Sequence, residues 1–430
     1  MEPFKRYLIF WFSQSVSQLG SSMTAFALIL WTYEQTHSAF SVSIMSFCNY
    51  VPYILISLLV GSFVDSHSQK TVMLASDSIA ALTSLLILGL FVTDSLFTWH
   101  IYIVNIILGV TTAFQQPSSS VAIAKIIPKN KLSQVSGMSS FSDNLIVVFS
   151  PILAAVLFSV GGLPLILFFD FLSFAIAFCV LLFLIHIPKQ STNKKYCSPF
   201  AGVVFGLHLL KHQKGILYVI FTMAGINFFS RLTYENILSP MILARSSENN
   251  VILGIVNACM GIGGIIGGLV VSVKKESRKK ANMIYLSAAL SFLFGDIIMA
   301  IGRDGFFWSF AALSASFPLP FIMAEQNLIL YKKFPENVQG RIFAIRNALQ
   351  YSTIPFGILL GGYLADYVFE PFMRSNNEVA VFLQKLVGSG TGSGMALMFL
   401  MTGICGLSMS IVSLSCSEIQ KLNDNSYFSK

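Results

Sequence analysis

Between residues 251 and 273 the chain reads Val-Ile-Leu-Gly-Ile-Val-Asn-Ala-Cys-Met-Gly-Ile-Gly-Gly-Ile-Ile-Gly-Gly-Leu-Val-Val-Ser-Val. These 23 residues hold no charged side chain, and Lys274, Lys275, Arg278, Lys279 and Lys280 follow at once. A helix of about 20 mostly apolar residues crosses the hydrocarbon core of a bilayer. The stretch therefore reads as a membrane-spanning helix that ends in a basic loop. Its overlapping Gly-x-x-x-Gly spacing, Gly261–Gly268, suits close helix contact. It is not a nucleotide loop, because no strand–turn–helix pattern surrounds it.

Working outward, twelve such runs fill the chain. In the first half they are Leu8–Tyr33, Val42–Val64, Thr71–Val92, His100–Ala124, Ser136–Val160 and Leu163–Ile187. In the second they are Gly215–Ile242, Val251–Val273, Ala281–Ile301, Phe306–Tyr331, Arg341–Tyr367 and Met395–Cys416. Composition agrees. Of the 430 residues 55% are hydrophobic and 11% charged, with a mean hydropathy of +0.73. A soluble domain carries about 25% charge, so soluble-enzyme, disordered and coiled-coil classes are excluded. Continuous runs rather than alternating strands exclude a β-barrel. The first run is too long for a signal-peptide core and lacks a cleavage site after it, so it reads as a mature helix. The six cysteines are scattered, with no Cys-x-x-Cys pair.

The basic residues orient the spans. With Lys5 and Arg6 inside, 22 of the 27 Lys and Arg fall on inner loops and ends, including Lys70, the cluster Lys274–Lys280, Arg341 and Arg346. Four fall outside, and Arg231 lies within a span. This places both termini in the cytoplasm of a cell-membrane protein. It also accounts for the net charge of +8 without nucleic acid, since inner loops face anionic lipid.

Residues 188–214 break the pattern with Pro188, Pro199 and several lysines. The sequence thus predicts an N-terminal six-helix bundle over 1–187, a cytoplasmic linker over 188–214, a C-terminal six-helix bundle over 215–416 and a cytoplasmic tail over 417–430. The halves echo each other. Gly61-Ser-Phe-Val-Asp65 and Gly268-Leu-Val-Val-Ser272 stand 207 residues apart, as do Pro128-Lys-Asn130 and Pro335-Glu-Asn337. Such repeats typically place a binding site near the midplane where the halves meet.

This organisation resembles the major facilitator superfamily. The loop Gly61-Ser-Phe-Val-Asp65-Ser-His-Ser-Gln-Lys70 is similar to that family's signature after the second helix, with Gly61, Asp65 and Lys70 matching and Ser66, Ser68 and Gln69 departing from it. Trp11-Phe-Ser-Gln14, Ser76-Asp77, Ala113-Phe-Gln-Gln-Pro117, Phe168-Phe-Asp170 with Ser173-Phe174, and Gly340-Arg341-Ile-Phe343 resemble the macrolide-efflux-like branch. The Glu370-Pro371 loop and its glycine-rich end Gly388–Gly394 fit the same branch. The resemblance implies an all-α major facilitator fold and a proton-coupled exporter of drugs, peptides or siderophores. Two features depart from the wider antiporter pattern: the fourth-helix residues just before Gly109, Asn105-Ile-Ile-Leu108, include no Arg, and the fifth-helix motif is reduced to Ser150-Pro151-Ile-Leu-Ala-Ala155.

Ionisable side chains inside a span are costly and ask for a reason. The proton-coupling candidates are Asp170, Arg231, Glu235 and Glu325. Arg231 and Glu235, four apart, share a helix face; they read either as a self-neutralising pair or as a relay in which Glu235 takes up a proton. Asp296 ranks last among the carboxylates. The inner-gate set is Gly61, Asp65, Lys70, Asp77, Asp143 and Arg341, with Asp65 expected near the start of the eleventh helix. Cavity candidates are Gln14, Gln18, Asn49, Gln115, Gln116, Asn144, Asn227, Gln326 and Asn347, each with helix-to-helix hydrogen bonding as the structural alternative.

His208 and His212 lack further ligands for a metal. Neither His-Glu-x-x-His nor Gly-x-Ser-x-Gly occurs, so no catalytic chemistry and no cofactor are expected. The partners read from the sequence are a small-molecule solute, protons and the lipid bilayer, and the chain is taken to work as a monomer. The leading function is ion-coupled efflux of an amphipathic or hydrophobic compound by alternating access. A nutrient importer of the same fold and a non-transporting receptor are the alternatives.

Overall fold

The computed structural model describes residues 3–66, 68–126, 132–185, 208–211, 213–273, 280–334, 336–375 and 377–423, with the side chains at 57–59, 61–66, 120–121, 124–125, 132–137, 139–141, 144, 336–341 and 344 outside that description. Helix is the only regular structure among the described residues. That follows where lipid offers no hydrogen-bond partner to a backbone amide. The chain parts into two compact units, Met1–Lys195 and Tyr196–Lys430.

In the first unit, Pro3–Thr36, Ala39–Ser66, Gln69–Val92 and Thr98–Ile126 form the first four rods. The fifth and sixth are a single helical run, Leu132–Cys179, folded at Gly162. Gly162 has φ 63° and ψ −163°, a left-handed conformation that glycine adopts without a Cβ penalty, and Pro164 follows. A π turn, Val180–Leu184, ends the sixth rod. The first rod packs along the folded pair, and the second and third pack on the fourth. Gly109 sits against the Asn49 carbonyl, where a Cβ would collide. Tyr7, Phe10, Met73 and Leu181 are buried in one cluster that ties the first, third and sixth rods together.

In the second unit the seventh rod is Lys214–Thr233 with Leu238–Arg245, and the eighth is Asn250–Val273. The ninth joins Lys280–Ser291 to Ile297–Ile301 through a π segment, Phe292–Asp296. The tenth joins Gly305–Ser316 to Leu319–Lys333 across Phe317 and Pro318. The eleventh runs Glu336–Tyr351, Ile354–Leu364, a π segment Ala365–Phe369 and Glu370–Arg374. A short amphipathic helix, Glu378–Val387, and glycines 388, 390 and 392 at positive φ lead to the twelfth, Ser393–Leu414.

Residues read from sequence as a tail pack into this unit. Ile419 and Leu422 are fully buried, and Asn423 Oδ1 accepts from the amides of Ala281 and Asn282 at the start of the ninth rod. Of the linker stretch, 188–207 and 212 lie outside the described residues.

Among the described residues, nine helical stretches are long and apolar enough to cross a membrane. One of them, Leu145–Leu184, is 40 residues long and contains the Gly162 fold, so it supplies two rods. Phe183, Val273, Phe306, Phe356 and Val412 are among the apolar side chains left exposed, a surface suited to lipid.

Candidate functional site

The first unit buries a carboxyl group at a corner of three rods. Asp170, on the sixth, is 2% exposed. Its Oδ2 accepts from Thr24 Oγ1 of the first rod and from Ser84 Oγ of the third, both at 2.9 Å. Its Oδ1 is buried and has no hydrogen-bond partner. Gly20 makes room here, since a Cβ would press on the Ser173 hydroxyl and lie 3.0 Å from Oδ1. No described cation pairs with the group. The corner can hold a proton: the hydroxyls of Thr24 and Ser84 orient one oxygen, and Ser21 also faces the group.

A second polar patch joins the first, third and fourth rods. Asp77 is 5% exposed and accepts from Gln115 Nε2 at 2.8 Å. Gln14 faces the same carboxyl group. Gln14 Nε2, Asp77 Oδ2, Gln115 Oε1 and Ser118 Oγ are buried atoms without a hydrogen bond. Three sequence candidates, Gln14, Asp77 and Gln115, thus come together.

The remaining candidates of this unit separate. Gln116 accepts from Tyr53 at 3.0 Å, and Asn49 donates to the Asn105 carbonyl at 3.4 Å. Gln18 and Asp143 are exposed. Lys70 reaches neither Asp77 nor Asp143. Its Nζ donates to the carbonyls of Leu182 and Ile185, both at 2.8 Å, and so caps the end of the sixth rod. Gly61, Asp65, Asn144 and Arg341 lie outside the described side chains, and the expected position of Asp65 with them.

In the second unit Arg231 and Glu235 form a closed ion pair. Glu325 is buried on the tenth rod. Beside it, Gln326 Oε1 accepts from Gln350 Nε2 at 3.0 Å, and the Gln350 carbonyl accepts from Asn227 at 3.4 Å. Arg346 donates to Asn327 Oδ1 at 2.6 Å and to Asn347 Oδ1 from Nε and Nη2 at 3.1 and 2.8 Å. Gln326, Asn227 and Asn347 therefore share one polar neighbourhood, which Gln350, Asn327 and Arg346 complete. Sequence reading noted Asn327 only as a neighbour of Glu325, did not single out Gln350, and grouped Arg346 with the loop cations. The spacing Arg346–Gln350, one turn along a helix, was the available signal.

Asp296, ranked last from sequence, is 1% exposed and accepts from Thr402 of the twelfth rod at 3.1 Å. Among the described residues no group of three or more His, Cys, Asp or Glu side chains could hold a metal ion.

Comparison with known proteins fits this architecture. A family model described as Major Facilitator Superfamily matches residues 10–358. Macrolide efflux protein A of Streptococcus pyogenes is 25% identical over 368 residues, covering 84% of this chain and 90% of that protein. The Staphyloferrin A transporter of Staphylococcus aureus is 26% identical over 281 residues, covering 64% of this chain and 67% of that protein. The crystal structure of the nucleoside transporter NupG superposes with a TM-score of 0.69 at 12% identity, covering 95% of this chain and 98% of that one.

Proposed function

The chain belongs to the major facilitator superfamily, and on that premise we propose that it is a proton-coupled exporter of a small amphipathic or hydrophobic compound, acting by alternating access. Membership makes it a multi-pass membrane transporter and not an enzyme. The relative named for macrolide efflux supports outward movement, and that name and the one for staphyloferrin A support a small organic solute. The distribution of Lys and Arg supports a cell-membrane location with both termini cytoplasmic.

The observation that carries the coupling proposal is the Asp170 corner. A carboxylate buried without a cation is expensive, so such a group favours carrying a proton. The hydroxyls of Thr24 and Ser84 hold one oxygen, and Ser21 also faces the group. Release of the proton on one side of the membrane and uptake on the other would tie conformational change to the gradient. Glu325, buried next to the Gln326–Gln350 amides, is a second carrier in this scheme. Glu235 is the weaker one, because Arg231 already neutralises it.

The test is accumulation of a broad compound panel in a hypersensitive bacterial host. Expression should lower accumulation of at least one amphipathic compound, and a protonophore should restore it. Efflux that persists after the protonophore, or no lowered compound in the panel, would overturn the proposal.

A further inference from the structure

The short helix Glu378–Val387, between the eleventh and twelfth rods, has no part in that coupling scheme. Asn377 caps its start by accepting from the Val379 amide, and Gly388 at φ 93° ends it. One face is built into the unit: Ala380 and Val387, two turns apart, are fully buried. Another face carries Val379, Phe382 and Leu386 at helical spacing, all exposed and Phe382 by 61%.

Three hydrogen bonds fix the level of this helix. Gln384 Nε2 donates to the Met373 carbonyl at 2.6 Å. Arg245 donates from Nη2 to the Val387 carbonyl at 2.8 Å and from Nη1 to the Ala300 carbonyl at 3.4 Å. Met373 and Ala300 lie in the last turns of Ile345–Arg374 and Lys280–Ile301, both long and apolar enough to cross a membrane. The helix is therefore held level with the ends of two spans. Arg303 also donates to the Lys385 carbonyl, at 3.2 Å, and Ile301, Phe306 and Phe307 on either side of Arg303 in the chain are exposed. Through Arg303 the apolar face adjoins the exposed apolar ends of the ninth and tenth rods. Lys385 and Arg303 are exposed at its polar edge, where head-group phosphates would meet them. A helix of this make lies in the membrane interface with its apolar face buried about 5–10 Å into the boundary of head groups and acyl chains.

We propose that Glu378–Val387 is an interfacial anchor whose Val379, Phe382 and Leu386 face docks into the outer lipid leaflet. Only the assignment to the outer leaflet rests on the orientation proposed above.

The experiment uses the full-length protein in phosphatidylcholine nanodiscs, one set of them made with brominated acyl chains. Phe382→Trp, Leu386→Trp and Lys385→Trp are made singly, and the emission each adds to that of the four native tryptophans is measured. Bromine should reduce the emission added by Phe382→Trp and by Leu386→Trp roughly twofold, and that added by Lys385→Trp less. Aqueous acrylamide should quench in the opposite order. Phe382 and Leu386 are both exposed, so either variant serves if the other does not fold. Acrylamide quenching of all three alike, without bromine quenching, would place the face in water and overturn the proposal. Quenching by neither agent would mean a face covered by protein, such as a second copy of the chain, and would overturn it equally. Because no transport is measured, failure here leaves the efflux proposal intact, and failure of efflux leaves this anchor intact.

Discussion

Asp170→Asn separates coupling from folding. Asparagine keeps a carbonyl oxygen to accept from Thr24 and Ser84, which now donate at 2.9 Å. Its amino group takes the place of Oδ1, and the Ser21 hydroxyl, which also faces this group and donates to the Ser17 carbonyl, can accept from it. The fold should therefore survive with a change of about 1 kcal/mol or less. Thr24→Val and Ser84→Ala each remove one interhelical hydrogen bond and should cost roughly 0.6–1.7 kcal/mol. Function should respond quite differently. One proton moving down 100 mV supplies about 2.3 kcal/mol, which at about 1.4 kcal/mol per tenfold sustains roughly a fifty-fold gradient of a neutral solute. Asparagine cannot exchange that proton. In proteoliposomes energised to 100 mV, the wild-type protein should reach a gradient of that order, and Asp170→Asn should fall to a ratio near one while equilibrating solute down its own gradient. A variant that still builds the full gradient would refute the role given to Asp170.

Three further outcomes follow from packing and capping. Gly267→Ala should lower the melting temperature in detergent, because the new Cβ would overlap the Phe317 carbonyl and crowd Pro320, an overpacking cost of about 1–3 kcal/mol. Gly268→Ala should hold or raise it, because nothing lies within 4 Å and alanine gains up to about 1 kcal/mol in helix propensity; equal effects at the two sites would contradict the contact. Lys70→Gln removes the cation from the carbonyls of Leu182 and Ile185, a loss of about 1–2 kcal/mol, and should accelerate hydrogen exchange over residues 180–185 roughly tenfold. Glu370→Ala removes the acceptor for the amides of Gly394 and Met395 at 3.0 and 3.2 Å and should cost about 1 kcal/mol by thermal denaturation, whereas Glu370→Gln keeps an acceptor and should cost less.

The rods were legible because lipid leaves little choice. A run that must satisfy its own backbone has to be helical, so hydropathy predicted Val251–Val273 and the helix is Asn250–Val273. Thr71–Val92 and Gln69–Val92 agree equally well. What hydropathy cannot report is how a rod bends. Gly162, the Phe317–Pro318 break and the three π segments interrupt or distort stretches that look uniformly apolar. The candidate sites were legible by residue type and not by partner. Lys70 invited a carboxylate partner from its motif, yet its acceptors are carbonyls 112 and 115 residues away. Arg346 passed for a loop cation because its burial is decided by the seventh and tenth rods packed around it.

Asp296 shows why the internal repeat did not reveal it. In the first unit the acid is on the sixth rod and its donors are on the first and third. In the second unit the acid is on the ninth rod, its donor Thr402 is on the twelfth, and the hydroxyl of Tyr234, just past the helix Lys214–Thr233 of the seventh, lies close enough to crowd a Cβ at Gly295. Counting six rods per unit, first, third and sixth correspond to seventh, ninth and twelfth. Each unit therefore ties the same three rods with one acid and flanking hydroxyls, but acid and hydroxyl have changed places between the third-type and sixth-type rods. The offset of 207 carries Ser84 to Ser291 and Gly89 to Asp296, so a residue-by-residue search finds no match at the acid. What the two halves share is the physical requirement: in lipid, where apolar contact adds little net drive between helices, a buried polar tie is one of the few forces that can select which rods meet.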